Sequence, residues 1–243
     1  MWRASLDLGE SRVHALLATL AQDERERAER FHFATDRARF IAGRGLLRAI
    51  LARYLQAHPA SLRFHYSPRG KPALTPDSNP GGLQFNVAHS HGIALYAFAR
   101  GRALGVDLEC IQPQLQEGIA ERFFSAREVA ALRALPADLR AEAFFACWTR
   151  KEAYVKAMGD GLALPLDQFD VSLAPGEPAA LLRTAGNPQE ACRWRLQALE
   201  AAPGYAGAIC VEGHDWRLTC WQWPEGTEGD GEGSGVAGGP PRR

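Results

Sequence analysis

Gly105-Val106-Asp107-Leu108-Glu109 is the stretch on which the reading of this chain turns. Apolar and acidic residues alternate in it, and successive side chains of a strand point to opposite faces. Val106 and Leu108 are therefore expected in a core, with Asp107 and Glu109 projecting together from the other face. Before it, strands are expected at 63–67, 84–87 and 93–99, separated by turn-rich pieces such as Ser67-Pro68-Arg69-Gly70 and Asn79-Pro80-Gly81-Gly82. Earlier still, from residue 11 to about 58, apolar residues recur at helical spacing. Leu16, Leu17, Leu20 and Ala21 form one run; Phe40, Ile41, Leu46, Leu47, Ile50, Leu51, Tyr54 and Leu55 form another, and Pro59 closes the region.

After the acidic strand a loop is expected over 111–118. A helix over roughly 125–134 follows, with Ser125 and Glu128 at capping-box spacing. Beyond Pro136 a longer helix, about 139–158, ends at Gly159, and strands return at 169–173, 194–199, 207–211 and 216–221. Helix-then-strands occurs twice. The expected fold class is α+β, with two similar α/β halves at 1–104 and 105–223. The tail, 224–243, is Gly-rich, acidic and nearly free of large apolar residues, and is expected to be disordered, as a passive or a regulatory appendage.

The chain has 243 residues, 46% of them hydrophobic, enough to bury a substantial core. No segment has the ~18 consecutive apolar residues of a membrane span, and the first nine residues lack a secretory profile, so the expected location is cytoplasmic, away from membranes. Cys110, Cys147, Cys192, Cys210 and Cys220 are odd in number and widely spaced, which argues against a disulfide framework or a zinc site. Formal net charge is zero, which gives no case for nucleic acid as a partner. Of 28 basic residues only Lys71, Lys151 and Lys156 are lysine. Either a compact ammonium is needed at those positions, or the composition is simply Arg-biased.

Asp107 and Glu109 on one face supply two hard oxygen ligands, half of a magnesium site, although the same pattern also suits a solvated strand face. In Trp148-Thr149-Arg150-Lys151-Glu152-Ala153-Tyr154-Val155-Lys156, Trp148, Glu152 and Lys156 share a helical stripe. Glu152 and Lys156 at that spacing are either a surface ion pair or, on so apolar a helix, buried charges that need a metal and a phosphate as partners. Phe85-Asn86-Val87-Ala88-His89-Ser90-His91-Gly92 runs from a strand into a polar turn, where His89 is either structural or a hydrogen-bond donor to an anion. Arg27, Arg30, Arg37, Arg39 and Arg44 line the first helical region, with Asp23, Glu24, Glu26, Glu29 and Asp36 there to neutralise them.

Gly-Lys-Pro at 70–72, Phe-Asn-x-x-His-Ser at 85–90, Gly-Val-Asp-x-Glu at 105–109, Arg-Phe-Phe-Ser-x-x-Glu at 122–128, Trp-Thr-x-Lys-Glu-Ala-x-x-Lys at 148–156 and Gly159-x-Gly161-Leu162 stand in an order that resembles the 4′-phosphopantetheinyl transferase superfamily. The likeness is to its larger, single-chain, two-lobed, surfactin-synthetase-activating type, which serves carriers of fatty acid, polyketide and nonribosomal peptide synthesis. The resemblance implies a pseudo-twofold monomer with coenzyme A bound in a cleft between the halves. It implies Mg²⁺ on Asp107, Glu109 and Glu152, bridging the pyrophosphate, with Lys156, His89 and Lys71 on the phosphates. Arg27, Arg30, Arg39 and Arg44 become candidates for the 3′-phosphate and adenine end. Position 88 is Ala where many relatives carry Ser, so a hydroxyl contact is either missing or supplied by Ser90.

The implied reaction is attack by a serine hydroxyl of an apo acyl or peptidyl carrier protein on the β-phosphorus of coenzyme A, with loss of adenosine 3′,5′-bisphosphate. Lys156 would stabilise the leaving phosphate, and a carboxylate, with Glu152 and Glu128 both candidates, or a metal-bound water would accept the serine proton. By the same resemblance the carrier is an acidic helical bundle, which suits docking on 111–125 through Arg122 with Phe123 or Phe124, unless those rings belong to the core. A catalytically silent coenzyme A binding protein that keeps the fold and a regulator acting by protein contact are the other readings.

Overall fold

The structure, a computed structural model, describes residues 1–67, 70–113, 118–159, 164–187 and 189–224. It opens with a strand that the sequence reading lacks, β1 (Trp2–Ser5). The helical region divides into α1 (Glu10–Leu17), α2 (Gln22–Glu29) and α3 (Ala34–Leu55). Next come β2 (Phe64–Tyr66), β3 (Pro72–Leu74), β4 (Leu83–Ser90), β5 (Ile93–Arg100) and β6 (Leu104–Cys110). Three helices follow, α4 (Ile119–Phe123), α5 (Ala126–Ala134) and α6 (Ala137–Met158). Last are β7 (Phe169–Val171), β8 (Leu181–Thr184), β9 (Trp194–Ala198), β10 (Tyr205–Glu212) and β11 (Trp221–Gln222). The expected α+β class holds.

By spatial contact the chain divides into a larger unit, Met1–Arg3 with Phe64–Trp221, and a smaller one, Ala4–Arg63 with the chain from Gln222. This differs from the division at 104/105 expected from the sequence, because strands from both sides of that point share one core. The expected tail over 225–243, the Gly161-Leu162 pair and residues 114–117 of the expected loop lie outside the described residues.

In the smaller unit α1 crosses α3 at Gly45, where a side chain would overlap the Leu16 side chain. Thr19 ends α1 by donating its hydroxyl to the Leu16 carbonyl (2.7 Å), one reason why the periodic pattern becomes separate helices. The strongly charged α2 is held by Glu24, which is buried. It accepts from Arg48 Nε (2.6 Å) and pairs with Arg44 Nη2 (2.6 Å). Arg48 also donates to the Pro59 and Leu62 carbonyls, which leaves a buried carboxylate and guanidinium each with partners.

In the larger unit the strand orders are β11-β1-β5-β4 and β6-β10-β9, with β2-β3 and β7-β8 as two-stranded pairs. Two cores flank β6. Val106 and Leu108 face one core, with Ala88, Leu95, Ile209 and Val211. On the other side α6 brings Phe144, Cys147, Ala153, Tyr154 and Ala157 against β10 and against Phe169 and Trp194. Gly105 sets that contact: a Cβ there would overlap the Ala153 carbonyl oxygen and the Ala157 nitrogen, so the helix backbone lies directly on the strand.

The expected strand over 216–221 shrinks to Trp221–Gln222. Trp216 is instead tied back by its Nε1, which donates to the Gly213 carbonyl (3.0 Å), and its ring lies under the Arg195 guanidinium.

Lys151 is wholly buried and pairs with Glu128 Oε2 (2.7 Å), while donating to the Leu166 (2.7 Å) and Phe169 (2.6 Å) carbonyls. Removing one member strands the other charge in the core. Lys151→Met and Glu128→Gln should each cost about 3–5 kcal/mol in urea denaturation, and the apolar double replacement Glu128→Leu/Lys151→Met much less than their sum.

Candidate active site

Gly105, Asp107 and Glu109 lie on one face of β6, the face turned to α6. Because α6 rests on Gly105 without a spacer, its Lys156 reaches Asp107: Nζ donates to Oδ1 at 2.6 Å. The expected alternative, a Glu152–Lys156 surface pair, is not what forms. Asp107 is buried, and its Oδ2 has no hydrogen-bond partner. Among the described residues the Glu152 side chain makes no hydrogen bond or ion pair, and Glu109 Oε2 accepts from Ser90 Oγ at 3.1 Å.

These three carboxylates act on one another. Burial raises the pKa of Asp107, against the opposing pull of Lys156 and the Leu108 N–H. Burial and then repulsion from Asp107 raise Glu109. Burial, then Asp107 and also Glu109 raise Glu152, while Lys156 opposes. His89 belongs to the same electrostatic group although it is solvent-exposed. Partial desolvation of its ring and then the Lys156 ammonium hold it below the usual histidine range, with Asp107 opposing.

The Phe-Asn-x-x-His-Ser segment is positioned by a side-chain seam. Asn86 Oδ1 accepts from Val106 N (2.9 Å), and Ser90 Oγ accepts from Cys110 N (3.1 Å). β4 and β6 therefore run side by side in the same direction, joined by side chains instead of a backbone ladder. Ser90, expected as a phosphate contact, is buried and holds Glu109 and this seam. Ala88 lies in the apolar core with Leu95 and Val106, on the opposite face of β4 from His89. A hydroxyl at position 88 would begin in that core, which is why the site is assembled without one.

A cavity of about 410 Å³ opens beside the seam and is lined by Lys71, Asn86, Val87, Glu152, Val155 and Lys156 among others. Lys71 Nζ donates to the Lys156 carbonyl (2.7 Å), so residues from both sides of position 104 close on it. Two larger grooves lie on another face of α6, away from this chemistry.

Glu128 is not brought into this group. It accepts from Ser125 N (2.8 Å) and Val171 N (2.8 Å) as well as Lys151, a structural use that corrects its expected place as a proton acceptor. Arg27, Arg30, Arg39 and Arg44 belong to the smaller unit. There Arg39 is paired with Asp7 (2.6 Å), Arg44 with Glu24 (2.6 Å), Arg27 lies over the Phe40 ring, and Arg30 is exposed. Phe124 is core, while Phe123 packs edge-on against Trp148 (5.6 Å) under the Arg122 guanidinium.

Lys151, Asn86 and Gly105 escaped the reading of the sequence as functional supports. The scarcity of lysine was the available signal: all three lysines make defined contacts at 2.6–2.7 Å.

No set of three or more His, Cys, Asp or Glu side chains among the described residues is gathered tightly enough to hold a metal ion as it stands. The donor chemistry nevertheless fits a hard cation. Asp107 has an orphaned buried oxygen, the Glu152 carboxylate has no hydrogen-bond or ion-pair partner among the described residues, and the charge of Asp107 disfavours those of Glu109 and Glu152.

Residues 103–210 match the family model described as 4′-phosphopantetheinyl transferase superfamily, and residues 2–99 match that described as 4′-phosphopantetheinyl transferase, N-terminal. The chain is similar to the 4′-phosphopantetheinyl transferase HetI of Nostoc sp., at 42% identity over 92% of this chain and 91% of that protein. It is similar to the 4′-phosphopantetheinyl transferase Sfp of Bacillus subtilis, at 31% identity over 86% and 89%. Among solved structures, a Chronobacterium ammoniagenes ACPS-CoA complex aligns at TM-score 0.37 and 21% identity over 48% of this chain and 100% of that chain.

Gly105→Ala should push α6 off β6, cost about 1–3 kcal/mol in thermal denaturation, and lengthen the Lys156–Asp107 contact in a crystal structure of the variant. A folded-state pKa raised above the unfolded one means that the ionised site opposes folding once the pH exceeds the unfolded value. In chelator-treated protein, Glu152→Gln should therefore raise Tm at neutral pH. The gain should vanish as the pH falls below the ordinary glutamate value of about 4.3. An unchanged Tm across that range would contradict the cost that burial and then repulsion from Asp107 place on ionised Glu152.

Proposed function

The chain belongs to the 4′-phosphopantetheinyl transferase superfamily and is a transferase of that type; from this we propose that it moves the 4′-phosphopantetheine arm of coenzyme A onto a serine of an apo acyl or peptidyl carrier protein. The observation that carries the proposal is the Lys156 ammonium on buried Asp107, with Glu109 and Glu152 in the same field, at the mouth of a cavity that Lys71 also lines.

The serine oxygen bonds to the β-phosphorus. The bond from that phosphorus to the bridging oxygen breaks, and adenosine 3′,5′-bisphosphate leaves with the electron pair. Such transfer depends on positioning and on neutralising charge. A Mg²⁺ ion held by Asp107, Glu109 and Glu152 supplies charge neutralisation at the phosphate oxygens when bound. Lys156 turns its ammonium to the leaving phosphate, Lys71, bonded through its Nζ to the Lys156 carbonyl, holds the pyrophosphate beside it, and His89 donates to a phosphate oxygen from the exposed face of β4. Ser90 and Asn86 keep Glu109 and β6 in register with His89.

The serine proton passes to Glu152. Glu152 lines the cavity, whereas Glu128 is consumed by Ser125, Val171 and Lys151. Arg122 stacked on Phe123 gives the described part of the carrier-docking segment, a cation on an aromatic ring matched to an acidic helical partner. The protein acts as a monomer in the cytoplasm.

Incubation with coenzyme A, Mg²⁺ and a panel of apo carriers from fatty acid, polyketide and nonribosomal peptide systems should add one phosphopantetheine mass to the accepted carriers. Glu152→Ala should abolish the gain, and Lys156→Ala should slow it on the order of 100- to 1,000-fold. Coenzyme A binding with no mass gain on any carrier would identify a silent binding protein instead.

A further inference from the structure

We propose that His91 is a positioning residue for the acidic site, holding Glu109 through a hydrogen-bonded chain that runs from the imidazole Nδ1 through the Ser90 hydroxyl to the carboxylate. This role rests on Asp107, Glu109 and Glu152 being the ligands of a hard cation, as proposed above, and adds a support behind one of them. His91 is the first residue of the two-residue turn that joins β4 to β5, whose strands close on the Ser90–Ile93 pair. It takes a left-handed φ of 52°, whereas Gly92 beside it does not take a positive φ. Left-handed backbone suits glycine and costs free energy when a side chain is present. A turn with positive φ at its first central residue favours glycine there, so turn chemistry alone does not account for an imidazole at position 91.

What the ring reaches is Ser90 Oγ, 3.3 Å from Nδ1. The same oxygen accepts from Cys110 N (3.1 Å) and donates to Glu109 Oε2 (3.1 Å). A hydroxyl has one proton, and an ionised carboxylate only accepts. The Ser90 proton is therefore committed to Glu109, the Cys110 amide can only donate, and Nδ1 must carry a proton and donate as well. Two bonds into the oxygen and one out of it leave the hydroxyl no other direction to turn, and each donation polarises the O–H that meets the carboxylate. Burial and then the Asp107 charge work against ionised Glu109, while Ser90 and His91 are among the groups that work for it. The bond uses Oε2 and leaves Oε1 for an ion. Partners behind a metal-binding carboxylate fix its orientation in this way, and losing one costs roughly 10- to 100-fold in metal affinity. The joint between β4 and β6 does not need the ring, because Asn86 to Val106 and Ser90 to Cys110 make it.

The test is Mn²⁺ binding, followed by the electron paramagnetic resonance signal of the free ion, for the full chain with coenzyme A present and no carrier protein. His91→Gly keeps the left-handed backbone and removes the ring. It should weaken Mn²⁺ binding about tenfold, while Tm is nearly unchanged, since glycine relieves the turn as it frees the unfolded chain. His91→Asn, which also tolerates a left-handed φ and carries an N–H donor, should restore most of the affinity. Adding His91→Gly to Ser90→Ala should cost nothing beyond Ser90→Ala alone, because the ring acts only through the hydroxyl. If Glu109→Gln leaves Mn²⁺ affinity unchanged, Glu109 is no ligand and the role of His91 falls with it. If Glu109→Gln weakens binding and His91→Gly does not, the positioning role alone is overturned. A loss of affinity accompanied by a large fall in Tm, or His91→Asn no better than His91→Gly, would likewise overturn it.

Discussion

The close contact of the α6 backbone with Gly105 is the constraint from which the rest of the site follows. A strand and a helix normally stand apart by the thickness of their side chains. Here the missing Cβ lets them touch, and the residues two and four positions along β6 are then carried to the helix residues one turn apart. Asp107 meets Lys156, and Glu152 enters their field without any flexible loop taking part. Ala153 and Ala157 at the contact serve the same end, since larger residues there would lift the helix again.

The price is a cluster whose charges oppose one another, and the scaffold around it is correspondingly over-determined. The Lys151–Glu128 pair fixes α6 to α5 and to the segment from Leu166 to Val171 from behind, one residue from Glu152 in sequence and on a different side of the helix. Rigid supports of this kind hold reactive groups in a geometry that the groups themselves would not choose.

Much of this was legible in the amino-acid sequence, for reasons that can be named. Alternation in 105–109 announced which side chains are core, and both Val106 and Leu108 are buried. The Ser125/Glu128 spacing announced a cap that is present. The helix over 137–158 differs from its expected start by two residues. What escaped was whatever depends on distant partners. β1 is too short to show a period, and its place depends on β5 and β11. Glu128 bears the same side chain whether it meets a substrate or a buried lysine, and only the fold reveals Lys151 beside it. Ser90 looked like a ligand contact because hydroxyls near a histidine often are; its burial against Glu109 and Cys110 makes it a fastener.

The joint between β4 and β6 limits how this region can vary. Its two fasteners, Asn86 to Val106 and Ser90 to Cys110, are both separated by twenty residues. A replacement at either position loosens one of them. An insertion or deletion of one residue between the fasteners, in either strand, throws them out of phase with each other and flips the downstream side chains to the opposite face. Length changes are thus confined to the turn at His91-Gly92 and the bend near Gly101, which lie outside both fastened segments.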